Sequence, residues 1–247
     1  MSVHVFETMG TVVSLRADDL SAAADVEAVF REYDRTYSLY DDASPLSRVA
    51  RGELLLAETS TAVRETYAEA LAWRERTGGL FTPHRPDGAV DLSGIVKSLA
   101  IRDAGAILDD SCPSWLLSVG GDALSRSGDS TPEWRTGVVD PDDTSHLLGV
   151  VPVGRSRRAI ATSGSAERGD HIWSRFGRAH FVQATVVADD IVTADVLATA
   201  VIAGREEDLD RITSTWDVDV LTVDRDGALR ATPGARSWLS DTPVPSI

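Results

Sequence analysis

Trp115-Leu-Leu-Ser-Val119, Arg135-Thr-Gly-Val-Val139, Leu147-Leu-Gly-Val-Val-Pro-Val153, Ala159-Ile-Ala-Thr162 and Phe181-Val-Gln-Ala-Thr-Val-Val187 decide the fold of this chain. Each run is short, rich in β-branched residues and bounded by turn residues, which suits a pleated surface better than a helix. On the N-terminal side, Val3–Phe6 and Val12–Leu15 read as an opening hairpin across Met9-Gly10-Thr11. The period then turns helical. Val26, Val29, Phe30, Tyr33 and Tyr37 share one face, with Ser21 expected as the cap and Asp41-Asp42-Ala-Ser-Pro45 as the loop that ends the helix. A second helix is expected from about Ser60 to Arg76, with Val63, Tyr67, Ala70 and Leu71 inward and Gly78-Gly79 as its stop. A third starts near Ser93 and carries Ile95, Leu99 and Ala106 toward Ile107.

Beyond the strand-rich region, a helix over about Ala194–Ala203 ends at Gly204, and a shorter one lies near Leu209–Ser214. Val218–Val223 and Ala228–Arg230 close the chain as a hairpin over Asp224-Arg-Asp-Gly227. Helices and strands mix without strict alternation and without an internal repeat or long linker. The fold class is therefore α+β, a single domain over 1–247 with a largely antiparallel sheet packed with helices, and 241–247 expected as a flexible tail.

Composition narrows the function. A formal charge of −15 argues against nucleic acid and against docking on anionic membrane, because a polyanion then needs local cations or a bridging metal. No run approaches the apolar length that spans a bilayer, and Met1-Ser-Val-His-Val-Phe-Glu7 has no export signal, so a cytoplasmic location is expected. Cys112 is the single cysteine, which excludes an internal disulfide; a buried thiol beside Pro113 is the expected environment.

Of 24 Lys and Arg residues one is lysine, Lys97, within Asp91-Leu-Ser-Gly-Ile-Val-Lys-Ser98. A compact ammonium suits a phosphate oxygen, whereas arginine offers a planar fork. The alternative is a solvated helix face. Asp195 and Thr199 stand four apart on an otherwise small, apolar helix, so both oxygens share one face. A carboxylate buried there needs a cation or several donors, and a hard ion such as Mg²⁺ wants such oxygens together with substrate phosphates. Alternatively Asp195 caps the helix start, Thr199 bonds back one turn, and Asp189 and Asp190 are loop charge. Ala161-Thr-Ser-Gly-Ser165 puts hydroxyls and a glycine where backbone amides can face an anion, and Val119-Gly-Gly-Asp122 is another close-approach turn. Gly164 and Gly169 do not begin a phosphate loop, since Asp170-His171 follow instead of Lys and Ser/Thr. No dinucleotide fingerprint, nucleophile elbow or His/Cys metal cluster occurs. His171, in a polar turn, is a candidate general base or else a surface hydrogen-bonder. Tyr40 ends the first long helix where a ring can lie against a heterocycle, while Tyr37 suits the core.

Taken in order, the segments resemble the FAD:protein FMN transferase (ApbE-type) family. They are Met9-Gly-Thr11, Tyr37-Ser-Leu-Tyr40, Ser44-Pro-Leu-Ser-Arg48, Gly79-Leu-Phe-Thr-Pro83, Asp91–Lys97 and Ser118-Val-Gly-Gly-Asp122. They continue with Trp134-Arg-Thr-Gly137, Asp140-Pro141, Ala161-Thr-Ser-Gly164, Glu167-Arg168, His171-Ile172 and Ala194-Asp-Val-Leu-Ala-Thr199. The resemblance implies a single-domain flavin enzyme that, with Mg²⁺, passes the FMN half of FAD to a Ser or Thr hydroxyl of an acceptor flavoprotein and releases AMP. It implies a metal held by Asp195, Thr199 and the backbone carbonyl of Val96. It implies catalytic roles for Asp195, Lys97 and His171, the last taking the acceptor proton. FAD is expected to meet Met9, Gly10, Tyr40, Ser47, Asp91, Gly94, Lys97, Gly120, Gly121 and Asp122, then Thr162, Ser163, Gly164, His171 and Ile172.

Three departures stand out. The family's His-Ile-x-Asp-Pro-x-x-Gly is His171-Ile-Trp-Ser-Arg-Phe-Gly177, without Asp-Pro and one residue shorter; Val49-Ala50 stand where an Asn is expected; and Ala-Lys-Gly becomes Val96-Lys97-Ser98. Hydrolysis of FAD to FMN and AMP, or FAD binding without turnover, are the alternatives to transfer.

Overall fold

The computed structural model describes residues 1–164 and 179–239. The opening hairpin forms from β1 (Ser2–Thr8) and β2 (Thr11–Ala17), with Thr8 opposite Thr11, so that Met9-Gly10 is a two-residue turn. Both turn residues have positive φ, 50° at Met9 and 69° at Gly10, the geometry whose twist matches right-handed strands. Three helices follow. They are α1 (Ala23–Tyr37), α2 (Pro45–Ala50) and α3 (Thr61–Arg76), with a 3-10 turn at Leu56–Glu58 between the last two.

The expected caps divide. Ser60 accepts from the Val63 amide and starts α3. Ser21 does not cap α1, whose N-cap position is Ala22 with no side-chain acceptor; the Ser21 amide instead donates to Asp19. A short helix, α2, starts at Pro45, the last residue of the loop expected over 41–45, because Ser44 caps it and Pro45 sits at its first position, where no N–H is needed.

Helix α4 (Ser93–Ser111) leads into β3 (Trp115–Val119), β4 (Asp122–Arg126), the ribbon β5 (Trp134–Val139) with β6 (Leu147–Val153), then β7 (Ala159–Gly164) and β8 (Phe181–Ala188). The chain ends with α5 (Ile191–Ala203), α6 (Glu206–Thr215), β9 (Asp219–Asp224), β10 (Leu229–Ala231) and α7 (Pro233–Arg236). Eight strands pair in the order β1-β2-β3-β4-β7-β8-β9-β10, and every neighbouring pair is antiparallel. The class expected from sequence, α+β with an antiparallel sheet, is the one observed.

Both faces of the sheet's centre are covered, and the period of two divides the strands between them. Trp115, Leu117 and Val119, with Ala159, Ala161 and Val186, join the larger core under α1, α4 and α5. Leu116, Ile160, Val187 and Leu221 turn the other way, against Val138, Val151 and Val153 of the ribbon and Trp238. Such double coverage is why these strands read as continuous apolar runs. Helix α4 settles onto the sheet at Gly105, where a Cβ would stand 2.6 Å from Leu124 Cδ2 and 3.2 Å from Trp115 Cη2. Cys112 is buried as expected; its Sγ lies 3.2 Å from the Asp19 carbonyl, and burial pushes the thiol up.

Candidate functional site

Antiparallel pairing brings several turns to one end of the sheet. The Met9-Gly10 turn joins β1 to β2, and β2 lies beside β3, whose own turn at Gly120-Gly121 leads into β4. The second turn meets the start of β2, just after Met9-Gly10: the Gly120 amide donates to the Val12 carbonyl at 3.2 Å, and a Cβ on Gly120 would meet Thr11 Oγ1 at 3.0 Å. Gly120 also has φ +58°, so both the space and the backbone call for glycine. β7 runs antiparallel to β4 and delivers Thr162, Ser163 and Gly164 to the same end.

Two helices supply the charges. Asp91 sets the start of α4, its Oδ1 accepting from the Ser93 amide at 2.9 Å. Gly94 lets the first turn pack on Phe81, since a Cβ there would lie 3.1 Å from the ring. One turn on, Val96 and Lys97 are buried, 4% and 6% exposed, so Lys97 is not on a solvated face. Its Nζ pairs with Asp122 Oδ2, which faces it as an ion pair rather than an aligned hydrogen bond. The Asp122 carboxylate is itself 1% exposed, and its Oδ1 accepts from the Thr162 amide at 3.1 Å. Asp122 therefore ties α4, β4 and β7 together.

On α5, Asp190 and not Asp195 caps the helix, accepting from the Thr193 amide at 2.8 Å. Asp189 pairs with Arg157 at 3.3 Å. Asp195 lies inside the helix and is 5% exposed, with Oδ1 4.0 Å from Lys97 Nζ. One turn further, half-buried Thr199 meets Ser163, hydroxyl to hydroxyl at 3.3 Å. Behind them Thr162 and the fully buried Thr185 pair at 2.9 Å. The result is a buried polar cluster where α4 and α5 meet β4 and β7: one ammonium, two carboxylates and the Ser163 and Thr199 hydroxyls, with the Thr162–Thr185 pair on the opposite face of the sheet. Burying such groups is costly unless they are paired and hydrogen-bonded, as Lys97 and Asp122 are.

The donors fit a hard cation. Asp195 and Thr199 present only oxygen, which matches Mg²⁺ and not a thiolate- or imidazole-seeking metal. Among the described residues no three His, Cys, Asp or Glu side chains form a group that could hold a metal.

Other expected residues spread around this centre. Met9 is half-buried against the core, and Tyr40 is 93% exposed. Tyr40 lines an open cleft of about 430 Å³ with Arg31, Asp34, Arg35, Ser38 and Asp41. Ser47 is buried in the α2 cap, its hydroxyl donating to the Ser38 carbonyl at 3.0 Å, so it shapes the Tyr40 loop from beneath. Tyr37 packs in the core and bonds Thr66 at 2.8 Å. His171 and Ile172, with Glu167 and Arg168, lie outside the described residues.

Sequence reasoning missed Asp34. Its Oδ2 accepts from the Met9 amide at 3.0 Å and from Thr8 Oγ1 at 3.2 Å. The one available signal was an acidic residue in the last turn of α1, where the helix dipole disfavours it. The direct Lys97–Asp122 pair was also missed, for it joins residues far apart in the chain.

The fold agrees with the comparisons to known proteins. The ApbE family matches residues 9–87 and 82–222, and the chain belongs to the ApbE family. Among solved structures it is similar to the ApbE protein of Thermotoga maritima, with a TM-score of 0.81, 18% identity and coverage of 97% of this chain and 99% of that one. It is also similar to flavin transferase ApbE of Vibrio cholerae, with a TM-score of 0.76, 21% identity and coverage of 96% and 99%. The apo form of Pseudomonas stutzeri flavinyl transferase ApbE matches at a TM-score of 0.74, with 20% identity and coverage of 98% of each chain. No curated protein matches. Among the described residues no helix is long and apolar enough to cross a membrane.

Proposed function

We propose that the protein is a flavin transferase that uses Mg²⁺ and FAD, moving FMN to a Ser or Thr hydroxyl of an acceptor flavoprotein and releasing AMP. The observation that carries this reading is the buried trio Lys97, Asp122 and Asp195, with Thr199 and Ser163 beside it, at the turn-bearing end of the sheet in an ApbE-family chain. The names of similar solved structures, flavin transferases from Vibrio cholerae and Pseudomonas stutzeri, support it.

The residues divide the work as follows. Asp195, Thr199 and the Val96 carbonyl would hold Mg²⁺, which when bound supplies charge neutralisation at the diphosphate. Lys97, held by Asp122, keeps a positive charge beside Asp195 at the phosphate end. Ser163 and Gly164 offer hydroxyl and backbone donors to phosphate or flavin, with Thr162 holding that strand end through Asp122 and Thr185, while Met9, Gly10, Tyr40, Gly120 and Gly121 border the nucleotide. The acceptor oxygen bonds to the phosphorus of the FMN half, the phosphoanhydride bond breaks, and AMP leaves with the bridging oxygen. His171 takes the hydroxyl proton.

The shortened loop after His171-Ile172 flanks the expected base and bears on two other readings, in which water replaces the acceptor and FAD becomes FMN and AMP, or FAD binds without turnover. Incubating the protein with FAD, Mg²⁺ and a Ser- or Thr-bearing acceptor separates the cases. AMP together with in-gel flavin fluorescence on the acceptor supports transfer. AMP with free FMN supports hydrolysis, and tight FAD without AMP leaves only binding.

A further inference from the structure

Met9 is the one non-glycine residue with positive φ among the described residues, and it sits first in a two-residue hairpin turn. Asn or Gly is the usual occupant there, since a larger side chain in the left-handed region is strained. Such a conformation persists only where the surroundings fix it. What fixes it is Asp34, from the last turn of α1: one carboxylate oxygen takes both the Met9 amide and the Thr8 hydroxyl. Amides of hairpin-turn residues ordinarily face water, so this is a bond the hairpin itself does not require. Thr8 is buried, which keeps the clamp partly shielded from solvent.

The clamp reaches further than the turn. The Met9-Gly10 turn abuts Gly120 through Thr11, and the Gly120-Gly121 turn leads straight to Asp122 and its Lys97 partner. On its other side Asp34 lines the cleft that holds Tyr40. Asp34 thus stands between the two features expected to border the nucleotide.

We propose that Asp34 is a positioning residue for the nucleotide, holding the Met9-Gly10 turn in its strained form so that the pocket is shaped before FAD arrives. This rests on the reading of Met9 as part of the FAD pocket. The role belongs to binding and not to phosphoryl transfer, because Asp34 acts through Met9 and touches neither Lys97, Asp195 nor Thr199 in any contact described.

The test uses the full chain and three forms, unsubstituted, Asp34→Ala and Asp34→Asn, with FAD as probe at fixed Mg²⁺. Amide exchange of the peptide over residues 6–13 reports the clamp without any activity, and the FAD concentration dependence of AMP release reports the pocket. Asp34→Ala is expected to speed exchange in that peptide and to raise KM for FAD by about tenfold, with kcat within about twofold. Asp34→Asn keeps an acceptor oxygen and is expected to restore most of both. Unchanged exchange in Asp34→Ala overturns the clamp. Faster exchange with unchanged KM, or a fall in kcat that matches the rise in KM, overturns the positioning role. If the alanine variant does not fold, Met9→Gly removes the strain, and Asp34→Ala/Met9→Gly is compared with Met9→Gly alone, with the same directions expected. If the unsubstituted chain neither binds FAD nor releases AMP, the proposed function fails, and the exchange result still decides the clamp.

Discussion

Replacing Asp122 by alanine removes the carboxylate that Lys97 faces inside the pocket. Both groups are under one-tenth exposed, so the ammonium is left with little water to replace its partner. Deleting one member of a buried ion pair costs about 3–5 kcal/mol. Lys97 keeps a second carboxylate, Asp195 at 4.0 Å, which puts the expected loss near the lower end, about 3 kcal/mol. The orphaned Thr162 amide adds about 1 kcal/mol or more. For a chain of this size a loss of that order lowers the melting temperature by roughly 10 °C. Urea denaturation of Asp122→Ala, Lys97→Met and the double variant closes a thermodynamic cycle. The double variant is expected to lose less than the sum of the singles by about 2 kcal/mol, because removing both charges leaves neither exposed to the core alone. Additive losses, or a cost below about 1 kcal/mol for Asp122→Ala, would refute the view that this pair holds α4, β4 and β7 together.

Two further outcomes are expected. His171→Ala should slow flavin transfer by on the order of 10²-fold or more while leaving FAD affinity within a few-fold; equal losses in both, by stopped-flow and titration, would remove His171 as the base. His84 gives a pH signature. Burial first, then the Arg74 charge, hold its ring below the ordinary histidine value, and Tyr67 meets it at 2.9 Å. The unfolded chain therefore binds more protons there than the folded one, so this contribution to stability is present above the ordinary value of about 6.5 and is lost as pH falls below it. Urea midpoints taken from pH about 7.5 down to about 5.5 should fall less steeply in His84→Gln than in the unsubstituted chain; parallel curves would exclude the effect.

The sequence carried its periods faithfully where burial is simple. Helix α3 was legible from Ser60 to its Gly78-Gly79 stop; β3, β7 and β8 were legible because their apolar runs are covered on both faces, and β5 and β6 because buried and exposed residues alternate along them. β4 was not, since Asp122-Ala-Leu-Ser-Arg126 mixes polar and apolar residues and earns its place only by pairing with β3 and β7. The start of α5 was read three residues late, because Asp190 looks like loop charge until its carboxylate is seen on the Thr193 amide. Ser21 looked like a cap and is not, as α1 begins two residues later. The shared helix face of Asp195 and Thr199 was legible from their spacing, while the metal-holding role proposed for them came from the family resemblance. Contacts such as Asp122 with Lys97 or Asp34 with Met9 were not legible, for pairing across a fold leaves no local pattern.

The most direct measurement is AMP release from FAD and Mg²⁺ by Asp195→Ala beside the unsubstituted chain, with thermal unfolding as the control for the fold. Loss of the buried carboxylate should cut release by on the order of 10²–10³-fold or more while the unfolding transition stays cooperative. Release at the unsubstituted rate from a folded Asp195→Ala protein would contradict the assignment of this pocket as the place where the diphosphate is cleaved.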